Sequence, residues 1–165
     1  MGKIIILTGP AGAGKNTVGH ILAQLRHKCA VIDVDDVRHM AIKPHIAPWY
    51  GEPGQKQARL GAKNAVGLAK NFIEEGFDCV ILDVVTKETS RIYKDGLKEF
   101  KPKIVLLFPT LDEVKKRNSN RSYNLQEERL ISLHEEQSKF ENYDEKIDNT
   151  NLSAEKTAEK INSIF

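Results

Sequence analysis

The chain has 165 residues, 40% hydrophobic and 29% charged, with a net charge of +2 at pH 7. That length supports one well-buried core, and the charge is too small to argue on its own for nucleic acid or a membrane surface. Cys29 and Cys79 each sit in or beside an apolar run and make neither a disulfide framework nor a zinc site. With no long apolar segment at the N-terminus, these features lead us to expect a single cytoplasmic domain over 1–165.

The first element predicted is a strand at Ile4-Ile5-Ile6-Leu7, a β-branched run of the kind buried on both faces. It breaks into Gly9-Pro10-Ala11-Gly12-Ala13-Gly14-Lys15-Asn16-Thr17, and helical spacing then begins with Val18, Ile21, Leu22 and Leu25. Glycines let successive backbone N–H groups turn toward one anion, and the helix N-terminus adds its partial positive charge. Lys15 then reaches the β- and γ-phosphates of a nucleoside triphosphate, and all nine residues from Gly9 to Thr17 are nucleotide-binding candidates. A dinucleotide fingerprint fails, because Thr17 stands where its third glycine or alanine belongs. Asn16 occupies the place where Ser or Thr usually offers a hydroxyl to Mg²⁺. Its amide oxygen is a weaker metal ligand, and Thr17 follows directly.

A second strand at 29–32 ends on Asp33, and Asp33-Val34-Asp35-Asp36-Val37-Arg38 follows. A kinase acting on a hydroxyl needs a carboxylate to accept its proton, and Asp33 or Asp35 is suitably placed beside the phosphate loop. Arg38 lies about one helical turn beyond Asp35, so both can face one cleft. The alternative is an Asp-rich helix cap. Residues 43–54 hold three prolines, two glycines, Trp49 and Tyr50, and are expected to form an irregular acceptor-side loop. Trp49 and Tyr50 either stack on an acceptor or anchor that loop.

A helix is predicted over about 55–75, stopped by Gly76, and then a third strand at 79–82 closed by Asp83. Asp83 suits a Walker B aspartate that orients Mg²⁺ or its waters. A helix at 90–100, a fourth strand at 103–108 and a helix at 111–118 come next. Lys115, Lys116, Arg117 and Arg121 make this last helix end basic, which suits either a helix C-terminus or a solvated face. A helix is predicted from Asn124 to about 141, a weak strand at 146–148, and a final helix capped by Ser153. Strands alternating with helices predict an α/β fold with a parallel sheet covered on both faces and a site at the strands' carboxyl ends.

The loop Gly-Pro-Ala-Gly-Ala-Gly-Lys-x-Thr resembles that of adenylate kinases and related small kinases. Asp-x-Asp-x-x-Arg behind it is similar to adenylylsulfate kinase, zeta toxins and 5′-hydroxyl polynucleotide kinases. Shikimate kinase, gluconate kinase and chloramphenicol phosphotransferase share the layout. The resemblance implies a three-layer P-loop fold with five parallel strands in the order 2-3-1-4-5 and a small arginine-bearing lid at about 115–125. It implies Asp35 as the base, Arg38 on the acceptor, Arg117 and Arg121 closing over the phosphates, and the nucleotide base near Asn149.

The function expected is therefore transfer of the γ-phosphoryl group of ATP, with Mg²⁺, to a hydroxyl of a small-molecule acceptor. Lys15, Asp35, Arg117 and Arg121 are the catalytic candidates; Asp33, Arg38 and Asp83 line the acceptor side; Asn16 and Asp83 are the metal candidates. No membrane and no obligate protein partner is expected. A polynucleotide or nucleoside 5′-hydroxyl kinase is the second reading, although no basic stripe supports long nucleic acid. A nucleoside monophosphate kinase and a nucleotide-hydrolysing switch stand behind it.

Overall fold

The computed structural model describes residues 2–120 and 124–165. Arg121 lies outside the described residues. Five strands, β1 (Ile4–Thr8), β2 (Cys29–Asp33), β3 (Asp78–Leu82), β4 (Lys103–Leu107) and β5 (Glu145–Ile147), form one sheet in the order β2-β3-β1-β4-β5. Every pairing is parallel, with Ile6 of β1 beside Ile81 of β3 and Ile104 of β4. The order expected from the resemblance is the order found.

Alternation along β1 explains its unbroken apolar run. Ile4 and Ile6 point into one core with Cys79, Ile81, Ile104 and Leu106, while Ile5 and Leu7 point into a second with Val80, Leu82, Val105 and Leu107. Helices α1 (Lys15–Gln24) and α7 (Ala154–Asn162) cover the second face. Helices α2 (Val34–His39), α3 (Gly51–Glu74) and α4 (Lys87–Gly96) cover the first. Helices α5 (Leu111–Ser119) and α6 (Glu127–Ser138) pack on one another beyond the end of β4. Among the described residues no helix is long and apolar enough to cross a membrane.

Several boundaries differ from those read in the sequence. Helix α3 starts at Gly51, inside the stretch expected to be irregular. Its first turn contains Pro53, which fits there because the first N–H groups of a helix have no intrahelical partner. Helix α4 starts at Lys87 because Thr86 and Thr89 form a reciprocal capping box, and 98–100 is a separate 3₁₀ turn. Helix α6 follows Gln126 rather than Asn124 and ends at Ser138. Ser153 caps α7 as expected, its hydroxyl accepting from the Lys156 N–H.

Candidate active site

The turn after β1 has the backbone of a phosphate loop. Gly12 and Gly14 take φ values of +84° and +92°, in the left-handed region that favours glycine. At Gly9 a Cβ would collide with the Leu107 carbonyl oxygen, so the loop is pressed against the end of β4. Lys15 reaches back across the loop, its Nζ donating to the carbonyls of Gly9 at 2.8 Å and Pro10 at 3.2 Å.

Two residues brace this loop from outside. Asn149, just beyond β5 and 2% exposed, donates from Nδ2 to the Ala13 carbonyl at 2.9 Å. Arg117 donates to the same carbonyl at 3.4 Å, to the Asn149 carbonyl at 2.8 Å, and to Glu113 at 2.8 Å. Arg117 thus stands on the regular helix α5 against the loop's back and is not among the residues lining the cleft. The neighbouring lysines are also in ion pairs, Lys115 with Glu127 at 2.6 Å and Lys116 with Glu113 at 3.7 Å.

Asp33 ends β2 and caps α2. Its Oδ1 accepts from the Asp35 N–H at 2.9 Å, and its Oδ2 accepts from Asn16 Nδ2 at 2.6 Å. Asp33 is half-buried, each of its oxygens accepts one of these bonds, and it meets the cleft through Asn16. Asp35 is: it lines the cleft, with Arg38 donating to its Oδ1 at 2.6 Å. The Asp35 side chain is 65% exposed and that of Arg38 only 10%. The Arg38 stem lies against Gly61 of α3, where a Cβ would come within 2.6 Å of Arg38 Cγ. Its Nε is buried and has no acceptor among the described residues.

Asp83 follows β3 and faces the same cleft. Loss of solvation pushes its carboxyl up to about 6, a hydrogen bond from Tyr93 pulls it down, and the nearby Asp35 charge adds to the rise. The fully buried Tyr93 hydroxyl donates to Asp83 Oδ2 at 2.6 Å. Next to it, Thr8 Oγ1 accepts from the Val85 N–H at 2.9 Å and donates to Gln137 Oε1 at 3.2 Å. Gln137 in turn donates to the Val85 carbonyl at 3.0 Å, so α6 is tied to the turn that carries Asp83.

These groups meet in a cleft of about 840 Å³, within the usual range for ligand sites. The phosphate loop with Lys15 and Asn16 lines it together with Asp35, Arg38, Asp83, Thr86 and Trp49. Trp49 lies over the Arg129 guanidinium at 4.7 Å, and Arg129, from α6, also lines the cleft. Tyr50, the other aromatic expected there, is exposed and outside it. Sequence reasoning missed Arg129, Tyr93 and Gln137. A lone arginine on an amphipathic helix, a tyrosine at a core position and a helical glutamine carry no local signal of a site.

The residues present fit a magnesium ion shared with a nucleotide. Mg²⁺ is usually held by one or two protein ligands together with phosphates and water. Asn16 and Asp83 both line the cleft beside Lys15. Thr17, the residue after Asn16 and a nucleotide-binding candidate, is exposed and outside the cleft wall.

A family model described as an AAA domain matches residues 5–149. Among solved structures, the Mycobacterium tuberculosis APS kinase in complex with AMPPNP and APS matches with a TM-score of 0.75 at 13% identity, over 99% of this chain and 96% of that one. The Deinococcus radiodurans tunicamycin resistance protein gives 0.72 at 18% identity, over 99% and 95%. Shikimate kinase from Acinetobacter baumannii, in complex with shikimate, gives 0.68 at 22% identity, over 99% and 93%. At such identities these structures share a fold with the chain. No curated protein matches it.

Proposed function

Because the chain belongs to the AAA domain family and has the fold of P-loop kinases, we propose that it transfers the γ-phosphoryl group of ATP to a hydroxyl of a small molecule. The observation that carries this reading is one cleft lined both by a phosphate loop with Lys15 and by Asp35 with Arg38. Lys15 and the loop amides bind the β- and γ-phosphates, and Asn149 and Arg117 keep the loop in shape. The acceptor oxygen attacks the γ-phosphorus, the bond to ADP breaks, and Asp35 accepts the hydroxyl proton. Arg38 orients Asp35, and Arg129 with Trp49 receives the body of the acceptor. Asn16 and Asp83 would hold Mg²⁺, which would offset the negative charge of the phosphates. Arg121 is assigned to the transferring phosphoryl group from the sequence resemblance. Two of the structural neighbours were solved with the small molecules APS and shikimate, which agrees with a small acceptor.

The test is transfer from ATP to a panel of sugars, antibiotics, nucleosides and short oligonucleotides. An acceptor that stimulates turnover supports a kinase, and the class that responds separates a small-molecule from a 5′-hydroxyl acceptor. With that acceptor, Asp35→Asn should lower kcat by at least about 100-fold, since a general base contributes about 10²–10⁴. ATP turnover indifferent to the whole panel would instead favour a hydrolysing switch, and near wild-type transfer by Asp35→Asn would remove its role as base.

A further inference from the structure

The asparagine that replaces the usual hydroxyl residue of the phosphate loop is held in one orientation. Asn16 Nδ2 lies 2.6 Å from Asp33 Oδ2. An ionised carboxylate only accepts hydrogen bonds, so the amide must turn its nitrogen toward Asp33 and its oxygen away. Asp33 cannot rotate off this contact freely, because its other oxygen accepts from the Asp35 N–H and caps α2. Asn16 itself lines the cleft and Asp33 does not.

We infer that Asp33 is a positioning residue that fixes Asn16 with its carbonyl oxygen offered to the nucleotide's magnesium ion. The pair takes over the task of the missing Ser or Thr hydroxyl, and Asp33 serves neither as base nor as acceptor ligand. The inference rests on the nucleotide-binding reading of the loop. The physical reason for the pairing is that an amide has two unlike ends. A hydroxyl can rotate to present a lone pair to a cation, whereas an unguided carboxamide presents its NH₂ as readily as its oxygen, and the NH₂ repels the cation. Groups that orient a ligand in this way commonly change metal affinity about 10–100-fold when removed.

Asp33→Asn is the informative change. The new amide can still cap α2 through its oxygen, since Asn caps as well as Asp. Its nitrogen then faces Asn16 as a donor, so Asn16 must flip and turn its own NH₂ into the cleft. Asn16→Thr removes the need for guidance. The experiment is calorimetric binding of ADP with Mg²⁺ and with EDTA, for the wild type, both single variants and the double variant.

In the wild type Mg²⁺ should tighten ADP binding, and Asp33→Asn should reduce that gain by about tenfold or more. In the Asn16→Thr background the same change should cost less than about threefold, because the guided amide is no longer there. Equal losses in the two backgrounds would overturn the inference, leaving Asp33 a helix cap or a distant charge. Wild-type protein that binds ADP in neither condition would refute the nucleotide site itself, which is a separate failure. Should Asp33→Asn not fold, Asp33→Ser keeps a capping hydroxyl that is too short to direct Asn16, and the same cycle and criteria apply.

Discussion

Two glycines of α3 make opposite predictions about the same substitution. Gly67 faces solvent and a Cβ there meets nothing within 4 Å. Gly67→Ala should therefore gain helix propensity alone, about 0.5–1 kcal/mol. At about 2–4 °C per kcal/mol for a domain of this size, its melting temperature should rise by about 1–4 °C. At Gly61 a Cβ would lie 2.6 Å from Arg38 Cγ, 3.1 Å from Cδ and 3.2 Å from Val34 Cγ1. Cγ is close to the root of its side chain, so relief requires swinging the whole guanidinium off Asp35. Overpacking of this kind costs about 1–3 kcal/mol. Set against the same propensity gain, Gly61→Ala should lose about 1 kcal/mol net and melt about 2–4 °C lower. The displaced Arg38 should also weaken acceptor use, because a hydrogen bond to a charged group is worth about 1.5–3 kcal/mol, or about tenfold and upward in KM. ATP binding should stay as in the wild type. Calorimetric melting of both variants measures the first effect, and steady-state kinetics with the acceptor found by screening measures the second. A Gly61→Ala protein that melts with Gly67→Ala and keeps its acceptor KM would show that α3 does not set the place of Arg38.

Lys15→Ala should abolish transfer and weaken ADP binding in calorimetry, and wild-type turnover by that variant would remove the phosphate-loop assignment. Asp83 should titrate near pH 6 in carbon-13 carboxyl spectra of the metal-free protein, above its ordinary value of 3.8. The folded state then binds this proton more tightly than the unfolded chain. Its contribution makes stability fall as pH rises from about 4 to about 6 and level off above. Tyr93→Phe removes a hydrogen bond that favours the charged form, so the Asp83 titration should move higher still; an unchanged midpoint would mean that Tyr93 does not set the carboxylate's environment.

The sheet was legible because burial on both faces writes itself as uninterrupted apolar runs, as at Ile4-Ile5-Ile6-Leu7. The phosphate loop was legible because its glycines meet a backbone requirement that other residues do not meet cheaply. The order of the strands came through resemblance, since no local pattern states which strand lies beside which. What stayed hidden depends on side chains that meet only after folding. Asp33 and Asp35 look alike in sequence, and only the arrival of Asn16 from α1 separates a residue with both oxygens engaged from one that opens on the cleft. The charge of Arg117 was visible, but its acceptors, the carbonyls of Ala13 and Asn149, were not. Pro53 misled in the other direction, marking an irregular stretch where it opens a helix.

The strand order has a consequence for how the chain acquires its site. β1 precedes both of its neighbours, and it pairs with β3 and β4, whose residues come some way later: Ile5 waits for Val80, and Ile6 for Ile104. A chain growing from its N-terminus exposes the apolar β1 and the glycine loop long before anything can flank them. The brace at Asn149 arrives later again. Contacts so distant in sequence slow folding, and the loop that meets nucleotide is synthesised well before the segments that give it its working shape.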